Sequence, residues 1–313
     1  MRLLARRLTW ILATLYVAGS AVGQEASSAV VQSRLFQSSR QTTGVPVDAN
    51  GVPLPIPEST PSEELSFGKQ QILKTEEKAP EFSMGGDASV FYTNNVALTH
   101  HSEISDVFFV GDGFASWAPR INNELQLQAG ARFSIFRYHD TPELDFQSIG
   151  AGAGVFWTPR WASGIGFTAR YDFIELLDRH SDEILQDHEF SFAAQKVVPL
   201  GRSHALSFGL LGTIGISDPF AEQRDQIAGI IGYHVQWTRY FDTDFGYRLA
   251  GYFYNGGGRD DFNQILSLGG HCHLTRWASI EGFLSWATNY SNKEAFKYDV
   301  FNTGGGVALL FRF

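Results

Sequence analysis

The sequence predicts an all-β fold: an antiparallel up-and-down transmembrane β-barrel of about twelve strands, preceded by a disordered N-terminal segment. Three observations support this prediction. Apolar and polar residues alternate with a two-residue period from Phe82 to Phe313. The predicted connections alternate between short and long, and aromatic residues cluster beside the short ones. We therefore divide the chain into residues 1–23, 24–80 and 81–313, with the barrel in the last part.

Residues 1–23 have the pattern of a secretory signal peptide. Three arginines precede an apolar stretch that ends at about Val17, and small residues then lead to a cleavage site before Gln24. The alternative, an N-terminal membrane anchor, requires a longer apolar stretch. We expect an exported protein whose leader is removed.

Residues 24–80 are predicted to form a disordered linker. The segment is rich in serine and glutamine at first and then in proline, as in GVPVDANGVPLPIPESTPSEE. It lacks the periodic apolar residues that would offset the entropy lost on ordering. We expect it to tether the barrel without a fold of its own.

Composition argues against a disulfide within the chain and against a nucleic-acid partner. The chain has one cysteine, Cys272, so no disulfide can form within it. Its formal net charge is −9, and removing the arginines of the leader makes it more negative. A nucleic-acid partner is therefore not expected.

Twelve candidate strands occupy the rest of the chain. Each strand with its connection takes roughly nineteen residues, which is too long for a compact sandwich and suits tilted membrane strands. The candidates are 82–93, 106–117, 123–137, 146–157, 162–174, 187–198, 204–216, 225–238, 244–254, 262–275, 278–289 and 299–313.

Alternation within these strands defines two faces. In 225–238, Ile227, Ile231 and Tyr233 share an apolar face, whereas His234 lies on the polar face. The apolar face points inward in a water-soluble barrel and outward in a membrane barrel. Alternation alone leaves both arrangements open.

The connections favour the membrane arrangement. Tight turns are predicted at 118–122, 158–161, 199–203, 240–243 and 275–277, and longer polar loops at 94–105, 138–145, 175–186, 217–224, 255–261 and 290–298. An up-and-down barrel with both termini at the turn end has this arrangement, and membrane barrels have short turns at one end and long loops at the other.

Aromatic residues mark the turn end. An indole ring is stable where apolar lipid meets water, because the ring is apolar and its N–H needs a hydrogen-bond acceptor. Aromatic residues flanking the turns of a soluble barrel are the alternative, but they would not collect at one end. The predicted membrane-interface belt is Trp117, Trp157, Trp161, Trp237, Tyr240 and Trp277.

The chain ends in VALLFRF. The alternate apolar residues of this last strand are Val307, Leu309, Phe311 and Phe313. The pattern resembles the signal by which barrel-assembly machinery recognises Gram-negative outer-membrane β-barrels. That family usually has glycine five residues before the terminal aromatic residue, where this chain has Ala308. The resemblance implies a location in the cell outer membrane, contact with its lipid, and a periplasmic position for the linker.

A porin-like channel for small solutes is the function expected from this resemblance. The first strand, in DASVFYTNNV, resembles the opening of barrels that partner the export of polysaccharide or surface proteins. A structural or export-partner barrel with a plugged lumen is therefore the first alternative. An outer-membrane hydrolase, acting as protease or lipase, is the second. We expect no enzyme activity, because His100 and His101 in the first loop form no recognisable catalytic motif.

Charged residues on the polar faces are the candidate lumen residues. Their signs are mixed, which indicates either a weakly selective pore or a network of salt bridges that fills the lumen. These residues are Glu124, Arg132, Arg170, Asp172, His234, Arg248, His271, His273 and Glu281.

The stretch HCHL suggests a metal site, because imidazole and thiolate bind zinc and copper. In a strand, however, His271 and His273 point to one side and Cys272 to the other. Sequence shows no third ligand, so we predict no metal or cofactor site.

The predicted outer loops are acidic. Divalent cations could bridge their carboxylates to anionic lipid, and solvated loop tips are the simpler alternative. The acidic residues include Asp140, Glu143, Asp145, Asp178, Asp182, Glu183, Asp187, Asp218, Glu222, Asp225, Asp260 and Asp261.

Overall fold

A computed structural model describes residues 29–38, 81–101, 103–201 and 203–313. Within these residues, twelve antiparallel strands form one closed barrel in which each strand pairs with its neighbours in sequence and the last pairs with the first. The strands are β1 Phe82–Thr93, β2 Asp106–Trp117, β3 Leu125–Tyr138, β4 Phe146–Trp157, β5 Ile165–Asp178, β6 Glu183–Pro199, β7 His204–Asp218, β8 Arg224–Thr238, β9 Phe241–Tyr254, β10 Asp260–His273, β11 Ala278–Ser291 and β12 Tyr298–Arg312. The predicted fold class is confirmed.

The N-terminal part of the chain differs from the prediction where the structure describes it. Residues 29–38 form a helix, α1, within the segment 24–80 that composition predicted to be disordered. The predicted signal peptide, 1–23, and the rest of the predicted linker lie outside the described residues. In the described ranges, no helix is long and apolar enough to cross a membrane.

The direction of the strand faces settles the question that alternation left open. In β9, Phe245, Leu249 and Phe253 are exposed on the outside, whereas Asp244 and Arg248, at alternate positions, are buried on the inside. In the other strands the outward side chains are likewise exposed and mainly apolar. The exterior is therefore apolar, as in a membrane barrel, whereas the lumen carries buried charged side chains as well as a cluster of buried aromatic rings.

The barrel closes between its first and last strands. β1 pairs with β12 from Ser83 opposite Arg312 to Thr93 opposite Asn302. The backbone N–H of Phe313 then donates to the carbonyl of Phe82 at 2.8 Å. The outward side chains of the predicted assembly signal, Val307, Leu309, Phe311 and Phe313, are all exposed.

The two ends of the barrel differ less in connection length than the sequence predicted. The loop predicted at 175–186 is only the connection 179–182, because β5 and β6 continue and bury Leu176 and Leu185 in the lumen. At the other end, the turn predicted at 158–161 extends to Gly164 and contains the 3-10 helix Arg160–Ala162. Further 3-10 helices occupy three loops, at Pro142–Leu144, Phe220–Glu222 and Glu294–Phe296.

Tryptophan distinguishes the two ends more clearly, whereas exposed tyrosines such as Tyr92 and Tyr290 lie near the loop end. All six predicted belt residues point outward near the turns: Trp117, Trp157, Trp161, Trp237, Tyr240 and Trp277. The rings of Trp157 and Trp161 lie 5.9 Å apart, and Trp277 stacks on Phe311 at 6.1 Å. They form an aromatic band around the turn end of the barrel.

Candidate functional site

Helix α1 lies inside the barrel, in the half of the lumen nearest the loops. Its side chains are buried or partly buried on every side, from Ala29 to Ser38. A helix on a protein surface buries one face only. α1 buries its whole circumference because the strands enclose it.

Apolar contacts join α1 to opposite walls of the barrel. The ring of Phe36 meets Phe91 of β1 at 5.2 Å and Phe136 of β3 at 5.3 Å, both edge to face. Leu35 packs in a separate cluster with Ile265 of β10 and residues of β11 and β12. α1 therefore fills the lumen from wall to wall at this level.

Polar contacts fix α1 at the loop end. Arg34 donates to the carboxylate of Asp187 on β6 at 2.7 Å and to the backbone carbonyl of Glu222 at 3.2 Å. The side-chain amide of Gln32 donates to the carbonyl of Val96 at 2.9 Å. The sequence placed Asp187 and Glu222 among solvated loop acids. This is wrong for these two residues, because both are close to a buried cation inside the barrel.

The structure places all but one of the predicted lumen residues on the inward face of the wall. They are Arg132, Arg170, Asp172, His234, Arg248, His271, His273 and Glu281. The exception is Glu124, which precedes β3 at the turn end and forms an ion pair at 3.3 Å with the exposed Arg160.

Opposite charges pair along the wall. Arg132 lies 3.1 Å from Asp112, and Arg170 lies 2.7 Å from Asp172. Gly152 on β4 leaves the space that the second pair occupies, since a Cβ there would meet both charged groups. Opposite signs therefore meet in salt bridges along the lumen wall, a feature that a weakly selective pore and a charge network share.

Arg248 is the most deeply buried charge on this wall, with 1% of its surface exposed. It donates to the hydroxyl of Tyr252 at 2.9 Å and to the side-chain oxygen of Gln226 at 3.3 Å. Both acceptors are neutral groups, so Arg248 differs from Arg132 and Arg170, which pair with aspartates.

A cluster of histidines and aspartates lies at the turn end, across β8, β9 and β10. Nδ1 of His234 lies 2.8 Å from Asp244. Nδ1 of His271 lies 3.0 Å from Asp242 and 3.3 Å from Asp244, and Nε2 of His273 lies 2.6 Å from Asp242. We call these five residues the His–Asp cluster.

The sequence predicted neither aspartate of this cluster as a lumen residue, nor Asp112. It assigned 240–243 to a turn, whereas β9 begins at Phe241. The alternation of Asp242 and Asp244 with Phe241 and Phe245 was the signal that could have found them.

Comparisons with known proteins support the fold. No protein-family model matches the chain, and no curated protein matches it. Among solved structures, an outer membrane channel from Pseudomonas putida F1 has 11% identity and a TM-score of 0.52, covering 78% of this chain and 100% of that chain. The KdgM porin has 8% identity and a TM-score of 0.43, covering 73% and 99%.

A bacterial polysaccharide outer membrane secretin has 13% identity and a TM-score of 0.44, covering 75% of this chain and 100% of that chain. At these identities the likeness concerns the fold alone, and it rests on the Pseudomonas putida channel. The chain has the fold of an outer-membrane β-barrel.

Proposed function

We propose that this protein is an outer-membrane channel for small solutes and that α1 closes its lumen in the state described above. The observation that carries the proposal is the position of α1, which contacts opposite walls inside a closed barrel. The apolar exterior and aromatic band support the membrane location.

α1 is suited to leave the lumen without damage to the wall. Every strand of the barrel satisfies its backbone groups through neighbouring strands, as a membrane barrel requires. α1 adds no strand to this wall and is held through side chains such as Arg34 and Phe36. Its release would expose side chains while the hydrogen bonds of the wall stay intact.

The surface under α1 indicates the kind of solute. Phe91, Phe108, Phe136 and Phe146 form an aromatic wall in the loop half of the lumen, next to Phe36. Charged pairs line the turn half, for example Arg170 with Asp172. A solute with both an apolar part and a polar part fits a lumen that has an aromatic wall followed by charged pairs. The mixed signs also favour weak charge selectivity.

Conductance in planar bilayers tests the proposal. We expect rare openings from the mature chain and persistent openings from a variant that lacks residues 29–38, since that deletion removes the helix and leaves the wall. Heat-modifiable mobility on gels verifies that both proteins are folded barrels. A folded variant without α1 that shows no conductance steps would refute the channel.

A permanently plugged structural or export-partner barrel is the second candidate, and the same burial of α1 favours it. The two candidates make different predictions for the conductance of the mature chain, and the variant that lacks residues 29–38 does not distinguish them. If α1 is a fixed plug, the mature chain shows no openings even when Arg34 is replaced by alanine. Openings of the mature chain or of its Arg34→Ala variant would favour the channel.

We also propose that the chain is not an enzyme. The ring centroids of His100 and His101 lie 4.6 Å apart in the first loop, with the ring planes tilted by 47°. Ser102, the hydroxyl beside them in sequence, lies outside the described residues. Hydrolysis of lipid or peptide by the folded barrel, lost when both histidines are replaced, would overturn this proposal.

A further inference from the structure

The His–Asp cluster brings metal-binding donors together at the turn end of the lumen. One donor atom each from His234, Asp242 and Asp244 lies within 4.8 Å of the other two. Nδ1 of His271 lies close to both carboxylates, at 3.0 and 3.3 Å. From this geometry we propose that the cluster binds one divalent transition-metal ion, such as Zn²⁺.

Strand register creates this set. Asp242 pairs with His271 across β9 and β10, and Asp244 pairs with His234 across β8 and β9. Residues two apart on a strand share a face, so both aspartates point into the lumen. Paired residues on adjacent strands lie about 5 Å apart. Three neighbouring strands thus bring His234, Asp242 and Asp244 together, and His271 lies against the same two carboxylates.

The chemistry of the donors selects the class of ion. Imidazole nitrogen together with carboxylate oxygen suits zinc and its neighbours, whereas magnesium and calcium prefer oxygen donors alone. Three protein donors from His234, Asp242 and Asp244, with His271 beside them as a fourth, are of the number and kind that zinc takes. The two carboxylates offset the charge of the ion.

The remaining histidine fits a positioning role. Nε2 of His273 lies 2.6 Å from Oδ2 of Asp242, the oxygen opposite the one that His271 contacts. This contact orients the carboxylate, and such supporting contacts affect metal affinity. The side chain of Asp244 is almost completely buried and that of His234 largely so, which limits their alternative conformations.

Metal binding would give the barrel a property beyond solute passage. The donors belong to β8, β9 and β10, and β9 pairs with both of the other strands in the wall. A bound ion would tie these strands together near the turns. It would raise the unfolding temperature of the barrel, since a ligand that binds only the folded state stabilises that state.

The test uses the folded, full mature chain without an affinity tag of histidines. Calorimetric titration with Zn²⁺ measures stoichiometry and affinity, and the visible absorption of Co²⁺ reports the coordination geometry. We expect one Zn²⁺ per barrel. We also expect at least about a hundredfold weaker binding in the double variant Asp242→Asn, Asp244→Asn, because both carboxylate ligands are lost.

The matched control replaces two histidines outside the cluster, His100→Asn with His101→Asn, in the first loop. This variant should bind Zn²⁺ as the parent does. If its binding falls while that of the aspartate variant does not, the ion sits on the loop histidines and the proposal is overturned. Absence of saturable binding at one ion per barrel overturns it as well.

A single substitution provides a second test in case the double aspartate variant does not fold. His234→Asn keeps both carboxylates and removes one ligand, so we expect at least about tenfold weaker binding with a folded barrel. Unchanged affinity in a folded His234→Asn barrel would remove His234 from the site and overturn the proposed ligand set. None of these measurements requires the barrel to conduct, so the metal site and the channel are tested separately.

Discussion

Arg34 of α1 donates to the carboxylate of Asp187 of β6 at 2.7 Å, joining residues 153 positions apart in the chain. Ser217 of β7 donates to the same carboxylate at 2.8 Å. The side chains of both ion-pair partners are less than one-tenth exposed. A buried charge that loses its partner is strongly destabilised, so this pair holds α1 against the wall.

We predict that Arg34→Ala and Asp187→Asn each raise the open probability of the channel, and that the double variant opens no more than the stronger single variant. Each single change removes the same ion pair, so the two effects are not additive. We expect a coupling of ~1–3 kcal/mol from a double-mutant cycle on open probabilities.

The matched control is Arg160→Ala. Arg160 pairs with Glu124 at the turn end, and its side chain is 82% exposed. Exposed pairs contribute little, so this variant should open as the parent does. Additive effects of Arg34→Ala and Asp187→Asn would contradict the view that a direct ion pair between these residues holds α1 in the lumen.

Phe36→Ala is predicted to release α1 from the lumen. The change removes two edge-to-face ring contacts, with Phe91 and Phe136, and weakens docking by about 3 kcal/mol. Trypsin cleavage after Arg34, followed by mass spectrometry, measures release, because a buried helix resists proteolysis.

Gln37→Ala is the control for this experiment, since Gln37 is less buried than Phe36. Its cleavage rate should match that of the parent chain. Equal cleavage rates for Phe36→Ala and Gln37→Ala would mean that the ring does not anchor α1.

Deleting Phe313 should impair assembly of the barrel. The deletion removes the backbone hydrogen bond to Phe82 and the ring contact at 6.1 Å that close β12 on β1. It also removes the end of the predicted assembly signal. Recovery of heat-modifiable protein in the outer-membrane fraction measures the effect.

Phe301→Ala changes an outward aromatic side chain on the same strand and leaves the terminus intact. We expect this control to assemble at close to parental yield. A deletion of Phe313 that assembles equally well would show that closure does not depend on the terminal residue.

Gly152→Ala is predicted to destabilise the barrel by ~1–3 kcal/mol. The added Cβ would lie 2.8 Å from the carbonyl of Tyr171 and would also crowd the Arg170–Asp172 pair. The temperature at which the folded band disappears on gels reports the loss. Gly113→Ala on β2 is the control, because no atom lies within 4 Å of its added Cβ. Equal transition temperatures would contradict close packing at Gly152.

Strand positions and strand faces followed from sequence because their determinant is local. In β9 the exposed Phe245 and Phe253 alternate with buried residues, and a two-residue period is visible in any one strand. Strand ends were less accurate: β9 begins at Phe241 rather than at residue 244. The residues that the predicted strand left out include Asp242, whose role depends on its contacts with His271 and His273 of β10.

The sequence by itself determined a twelve-stranded membrane barrel, its aromatic band and the sign of most lumen residues, since these depend on alternation along the chain. Only the tertiary structure decided that residues 29–38 form a helix and that His234, Asp242, Asp244 and His271 meet. α1 takes its apolar contacts from strands on opposite walls, and its own sequence has no stripe that predicts them. The His–Asp cluster depends on register across three strands, where a shift of one residue would turn its side chains to the lipid.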